Sequence, residues 1–193
     1  MPWEKTYDSA EVIDRAKHAF WGTGYEATSI SNLLDATGLN RGSLYAEFGD
    51  KRGLFLEALR AYDANQREAF LGELAANNAP LEAVAAAFSV AAEVPKDGVT
   101  PTGCLLVNTA LELAPHDPEV RAFIKVSFAA VEQFFADRLH DAKRRGELKA
   151  CVDPDTAAKT LLGMFLGLRV LTRSGADASA RRAIVTQATT LIA

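Results

Sequence analysis

Hydrophobic residues recur at spacings of three and four along most of the chain, which is the pattern of amphipathic α-helices. Near the N-terminus this pattern predicts one helix over residues 9–21, a short helix that begins at 28–29, and another short helix over 40–48. A longer helix begins after Asp50. Glycines separate these segments, and glycine accepts the left-handed backbone conformation that a tight helix end requires.

The rest of the chain shows the same periodicity and predicts a helical bundle. Five further helices are expected to start at Pro80, Gly103, Pro118, Pro154 and Asp177. Runs of β-branched residues are scarce, so the expected fold is all-α. We expect a three-helix helix-turn-helix domain over residues 1–50 and a C-terminal helical-bundle domain over residues 51–193.

Composition and charge narrow the possible partners of this chain. Of its 193 residues, 49% are hydrophobic and 24% are charged, which is ordinary for a soluble globular protein. The apolar stretch 161–171 is too short to span a bilayer and contains Arg169, so no membrane partner is expected. Two cysteines do not form a disulfide framework, and no secretory signal is visible at the start, so we expect a cytoplasmic protein.

The two short helices and the glycine turn between them predict a helix-turn-helix. Five apolar side chains would clamp the pair from behind: Ile30, Leu33, Leu39, Leu44 and Phe48. The outer face of the second helix would then carry Arg41, Gly42, Ser43, Tyr45, Ala46 and Glu47. Small residues at 42, 43 and 46 would allow close approach to the floor of the major groove, where Arg41 can offer a bidentate fork to a guanine.

Further contacts with DNA are expected from hydroxyl, ammonium and backbone N–H groups. Ser43 can donate to or accept from a base edge, and the Tyr45 phenol is long enough to reach a phosphate. Thr28 and Ser29 would present hydroxyls and N–H groups to a second phosphate, and Lys51 would do the same at the next helix start. Because the net charge is −4, binding must come from this local cluster rather than from a basic surface as a whole.

Residues 9–59 closely resemble the DNA-binding domain of the TetR family of repressors. The resemblance is carried by segments 20–30 and 38–51, which include Leu44-Tyr45, Phe48 and Lys51. It implies an all-helical homodimer that reads a palindromic double-stranded operator, with a C-terminal domain that binds a small molecule and pairs the subunits. The implied function is a repressor released by that effector, without enzymatic activity.

Three positions depart from the family pattern. Glu47 stands where the family usually has His or Tyr, which removes a phosphate contact. Asn40 replaces the commoner Ser and can still cap the helix. Arg52 replaces a usual acid and adds a cation near the DNA backbone.

Candidate effector-binding residues lie in the C-terminal part of the chain and at the end of the fourth helix. They are Tyr62, Phe88, Cys104, Leu105, Asn108 and Thr109. The segment 103–118 resembles a subgroup of TetR-like regulators with a cysteine at the start of the central helix, and some of these relatives sense electrophiles or oxidants. The alternative interpretation, which we favour, is that Cys104 is a small buried hydrophobic residue.

Aromatic and aliphatic residues at helical spacing are expected to form the core or a subunit seam. The candidate dimer contacts are Phe128, Val131, Phe135, Leu162, Phe165 and Leu168. Gly163 and Gly167, four positions apart, would allow two helices of a four-helix interface to approach closely.

The competing function is a helical-bundle ligand carrier or enzyme that does not bind DNA. An enzyme would need a convergent acid–base, nucleophile or metal set, and the sequence offers no catalytic candidate. The histidines His18, His116 and His140 share no close spacing, so we expect neither a metal nor a cofactor.

Overall fold

The computed structural model describes residues 7–94 and 102–193, and within these ranges the only regular secondary structure is helical. The helices are α1 Ser9–Thr23, α2 Ile30–Thr37, α3 Arg41–Phe48, α4 Lys51–Asn65, α5 Glu73–Asn77, α6 Pro80–Ala92, α7 Leu105–Glu112, α8 Pro118–Arg144, α9 Pro154–Arg173 and α10 Ala178–Ile192. A π-helical segment, Gln66–Gly72, joins α4 to α5. The all-α prediction is confirmed.

Side-chain caps fix the starts of the three N-terminal helices. Asp8, Ser29 and Asn40 have extended backbones, and their side chains accept hydrogen bonds from first-turn N–H groups of α1, α2 and α3. Gly38 ends α2 with φ 74°, in the left-handed region. These caps and breaks are readable from the sequence, and the observed bounds lie within two residues of the predicted ones.

Two compact units divide the chain, Met1–Ala64 and Asn65–Ala193. The expected boundary at residue 50 would place α4 in the second unit. The structure assigns most of α4 to the first unit because Phe55 packs its ring 5.0 Å from Phe20 and 4.8 Å from Tyr25. Burying these rings against α1 makes α4 part of the N-terminal core.

The core of the second unit is centred on three aromatic rings from three helices. Phe88 of α6, Phe135 of α8 and Phe165 of α9 lie with their ring centroids 5.7–5.8 Å apart. Phe88 and Phe135 are fully buried. Edge-to-face and tilted aromatic pairs at this distance stabilise the fold by more than the burial of their apolar area alone.

No helix in the described ranges is both long enough and apolar enough to cross a membrane.

The start of α9 provides a test of the capping interpretation. Asp153 accepts a hydrogen bond of 3.0 Å from the backbone N–H of Thr156, and this bond lowers the pKa of the Asp153 carboxyl below its ordinary value of 3.8. The ionised carboxylate is therefore favoured in the folded state, so its stabilising effect is complete above that ordinary value and is lost as pH falls through the lowered one.

We expect Asp153→Ala to lower the urea midpoint of unfolding at pH 7, because the cap is lost. The difference from the unsubstituted protein should shrink in solutions more acidic than about pH 4. Asp153→Asn keeps a side-chain acceptor and should be the milder change at pH 7. Equal midpoints for Asp153→Ala and the unsubstituted protein at pH 7 would contradict the capping role.

Candidate nucleic-acid interface

The outer face of α3 is a narrow exposed stripe on a helix whose opposite side is buried. Arg41, Tyr45 and the small residues Gly42 and Ala46 are exposed, with Tyr45 at 41% of its full area. Leu44, which points the other way, is fully buried. Ser43 lies at the edge of the stripe and is partly exposed. The stripe therefore combines two long polar side chains with residues small enough for close approach.

Arg41 and Tyr45 are available to an external partner. Neither the Arg41 guanidinium nor the Tyr45 hydroxyl has a hydrogen bond or ion pair to any residue that the structure describes. A guanidinium offers planar, paired donors that match the acceptors of guanine in the major groove. These two residues lie one helical turn apart and so project from the same side of α3.

Lys51 lies beside the turn that leads into α2. Its Nζ is 4.4 Å from the centroid of the Tyr25 ring and 3.4 Å from the carbonyl oxygen of Glu26. Ser29, three residues after Glu26, caps α2 through a reciprocal pair of hydrogen bonds with Asn32. The cation of α4 is therefore held close to the residues that precede the N-terminus of α2, where backbone N–H groups favour an anion.

Thr28 has a different place from the expected one. It is 1% exposed, its hydroxyl donates to the carbonyl of Gly24 at 2.5 Å, and it lies 2.6 Å from the hydroxyl of Thr23. Its N–H also bonds to the carbonyl of Tyr25 at 3.3 Å. Both groups are thus committed to the turn between α1 and α2. We assign Thr28 to shaping that turn rather than to phosphate contact.

Glu47 also differs from the expectation, because it does not belong to the outer face of α3. It is half-buried, and its carboxylate accepts hydrogen bonds from the hydroxyls of Tyr7 and Ser9 at 2.8 and 2.7 Å. Sequence reasoning missed these two partners, since they lie about forty residues away and their pairing depends on the packing of α1 against α3.

Gly53 is a second residue that sequence reasoning missed. A Cβ atom built there would lie 1.9 Å from the carbonyl oxygen of Phe48, the last residue of α3. Its N–H donates to the side chain of Asp50 at 2.7 Å. The sequence did contain a signal for this residue, namely a glycine in the first turn of a helix. Glycine weakens a helix, so its presence there requires a separate structural explanation. That explanation is the close approach of α4 to the end of α3.

Comparison with known proteins identifies the family. Residues 12–58 match the family model described as bacterial regulatory proteins, tetR family, and residues 80–188 match that of the tetracyclin repressor-like C-terminal domain. The chain belongs to the TetR family. The N-terminal match contains α2, α3 and the first half of α4, which form the candidate interface.

Relatives of this TetR-family chain align over nearly its whole length. It is 33% identical over 178 residues to YezE of Bacillus subtilis, described as an uncharacterized HTH-type transcriptional regulator, with 92% of each chain covered. It is 31% identical to the transcriptional repressor ComR of Escherichia coli, covering 90% of this chain and 83% of ComR.

Among solved structures, a cysteine-substituted variant of the TetR family regulator CifR, complexed with 26-bp double-strand operator DNA, superposes with a TM-score of 0.83. The two chains are 28% identical, and the superposition covers 99% of this chain and 100% of CifR.

The expected effector-binding residues are mostly buried in this TetR-family chain. Phe88, Leu105 and Thr109 are no more than 2% exposed, and Cys104 is 7% exposed just before α7. The Asn108 amide donates to the carbonyl of Thr102 at 3.0 Å. Tyr62 belongs to the N-terminal unit, where its ring lies 5.0 Å from that of Trp21. The structure thus assigns five of the six residues to the C-terminal unit and Tyr62 to the N-terminal unit.

The expected dimer contacts divide into two groups. Phe135, Phe165 and Leu168 lie in the core of the single chain, at 0–5% exposure, so they are not available to a second subunit. Phe128, Val131 and Leu162 remain partly exposed. Helical spacing alone did not separate these groups, because core and interface residues repeat with the same period.

Among the described residues, no group of three or more His, Cys, Asp or Glu side chains could hold a metal ion.

The corner between α3 and α4 supports a prediction about Gly53. We expect Gly53→Ala to destabilise the N-terminal unit by about 1–3 kcal/mol, since an added methyl group would push the backbone of α4 away from the end of α3. Helix propensity alone predicts the opposite sign, with a gain of about 1 kcal/mol for alanine over glycine. Urea unfolding followed by tryptophan fluorescence measures the change, because both tryptophans precede residue 65.

Gly22→Ala is the matched control. Gly22 is also helical, but a Cβ atom there would have no neighbour within 4 Å. This substitution should leave stability unchanged or raise it. If both variants were at least as stable as the unsubstituted protein, the close approach at Gly53 would not constrain the fold.

Proposed function

We propose that this protein is a transcriptional repressor that reads a palindromic double-stranded operator through α3. The observation that carries the proposal is the outer face of α3, where Arg41 and Tyr45 project, without partners among the described residues, from a helix anchored by Leu44. Repressor function in ComR and operator binding in CifR, both similar along most of their length, support it.

In this proposal α3 is the recognition helix and the surrounding groups set its position on the duplex. Arg41 reads a guanine and Ser43 a neighbouring base edge, while Gly42 and Ala46 allow α3 to enter the major groove. Tyr45, Lys51 and the backbone N–H groups of the first turn of α2, which follows Ser29, hold phosphates. Base contacts supply specificity, and phosphate contacts fix orientation without reading sequence.

Pairing of two subunits would bring two recognition helices to one duplex, about 34–36 Å apart. The proposed contact surface is the exposed side of α9, which carries Gly163, Gly167 and Val170. A Cβ atom at either glycine would meet nothing within 4 Å in the single chain. Packing inside the chain therefore does not require glycine at these positions, and close approach of a second subunit would explain it.

Release from DNA would follow binding of a small molecule in the C-terminal unit. A ligand can shift the protein away from its DNA-binding state only if it binds the two states with different affinity. The buried set Phe88, Cys104, Leu105, Asn108 and Thr109 remains our candidate for that region, and an electrophile or oxidant is one class of signal that Cys104 would suit. Burial of Cys104 favours its interpretation as a core residue.

Operator binding tests the function directly. Fluorescence anisotropy with labelled duplexes from upstream of the protein's own gene should show saturable, salt-sensitive binding. Arg41→Ala should weaken it by about 1–3 kcal/mol, because a bidentate base contact is lost. Tyr45→Phe should weaken binding to operator and to unrelated duplexes alike, since only a phosphate contact is removed.

Lys125→Ala, an exposed cation on α8, is the control and should leave binding unchanged. If the unsubstituted protein ignored every such duplex even at low salt, the repressor proposal would be wrong, and the helical-bundle ligand carrier would be favoured instead.

Subunit pairing is tested by adding bulk to α9. Gly167→Leu should shift the protein toward the monomer in sedimentation velocity, because an overpacked contact costs about 1–3 kcal/mol. The helical circular dichroism signal should persist, since Gly167 is exposed and a Cβ atom there would meet nothing within 4 Å in the single chain. Ala122→Leu on the exposed side of α8 adds bulk elsewhere and should not change assembly. A Gly167→Leu protein that remains fully dimeric would place the contact elsewhere.

A further inference from the structure

Both oxygens of the Glu47 carboxylate are engaged by the start of the chain. The Tyr7 hydroxyl donates to Oε2 at 2.8 Å, and the Ser9 hydroxyl donates to Oε1 at 2.7 Å. Tyr7 precedes α1, Ser9 is its first residue, and Glu47 lies in the last turn of α3. These bonds therefore link the beginning of α1 to the end of the recognition helix.

Glu47 is directed away from the surface that would meet DNA. Residues advance by about 100° around an α-helix, so Glu47, two positions after Tyr45, lies about 200° from it and on the opposite side. It lines a cleft together with Ile13 of α1 and Leu56 of α4. The carboxylate thus faces the interior side of the helix-turn-helix, which argues against a direct role in reading a base.

The orientation of α3 depends on such attachments. At eight residues it is too short to be stable alone, so tertiary contacts determine both its formation and its direction. Leu44 supplies an apolar anchor, but apolar burial is not directional. Hydrogen bonds to an ionised carboxylate are directional and stronger than those between neutral groups. Two of them at one end of α3 restrict its rotation about the Leu44 anchor.

We propose that Glu47 is a positioning residue for operator recognition. Together with Tyr7 and Ser9 it fixes the angle at which α3 presents Arg41 to the base edges of the duplex. The inference rests on the proposed repressor function, but it concerns residues that would touch neither bases nor phosphates. It also gives a role to a residue at which this chain departs from the family pattern.

A double-mutant cycle measures the link. Operator affinity is compared for the unsubstituted protein, Tyr7→Phe, Glu47→Ala and the double variant, by anisotropy at several salt concentrations. We expect Tyr7→Phe to weaken operator binding about threefold to tenfold, because a hydrogen bond to a charged group is lost. In the Glu47→Ala background the same change should have no further effect, since its acceptor is already absent.

Two additional readouts distinguish positioning from general loss of structure. Binding to a scrambled duplex, and the slope of log affinity against log salt concentration, should not change in any variant, because no phosphate contact is removed. Glu47→Gln retains an acceptor oxygen and should recover part of the lost affinity. Glu57→Ala removes a carboxylate from the same cleft, one that pairs with Arg60, and should behave like the unsubstituted protein.

Three results would overturn the inference. One is an equal effect of Tyr7→Phe in both backgrounds. Another is that Glu47→Ala loses discrimination at a single base pair while Tyr7→Phe leaves operator affinity unchanged. That result would make Glu47 a base-reading residue. The third is a parallel loss of operator and scrambled-duplex binding, which would indicate a structural role only. If the unsubstituted protein bound its operator in these experiments, the repressor proposal would stand regardless of the cycle.

Discussion

Burial of one side of α3 is the constraint on which the rest of the N-terminal unit depends. An isolated helix of eight residues does not hold its shape in water, so α3 exists because Leu44 is buried and Asn40 caps its first turn. Gly53 lets α4 approach the end of α3 more closely than any other residue would allow. With its inner side fixed in this way, the outer side is free to carry polar residues that do nothing for folding.

In this protein the attraction for nucleic acid has to come from the local placement of a few groups rather than from overall charge. With a net charge of −4, no general field draws the chain to nucleic acid, and a favourable contact must come from a few groups at short range. Lys51 is one such group, because its ammonium contacts the face of the Tyr25 ring in the turn that precedes α2. Glu47 shows the complementary principle: a carboxylate on α3 is turned inward and accepts hydrogen bonds from the hydroxyls of Tyr7 and Ser9.

Sequence patterns predicted the elements better than they predicted which face each side chain occupies. The helix bounds followed from caps and glycines, which act locally and are visible in the sequence. Thr28 was misplaced because its hydroxyl bonds within the turn that follows α1, to Thr23 and Gly24. Glu47 was misplaced because its partners are fixed by how the start of α1 packs against α3. Phe135 and Phe165 were expected at a subunit seam, but spacing reports only that a face is apolar and not what covers it.

The helix α9 illustrates that ambiguity and connects the two roles proposed for the C-terminal unit, effector binding and subunit pairing. Phe165 and Leu168 face the core, where Phe165 meets Phe88 and Phe135, while Gly167 faces solvent in the single chain. Interiors are packed too densely to absorb a new group without displacement, so a ligand entering this aromatic cluster must move the helices that contribute to it. In the proposed dimer one of those helices also carries the subunit contact. A displacement of α9 caused by a ligand in the core would then also move the subunit contact, because one rigid helix carries both the core-facing and the subunit-facing side chains.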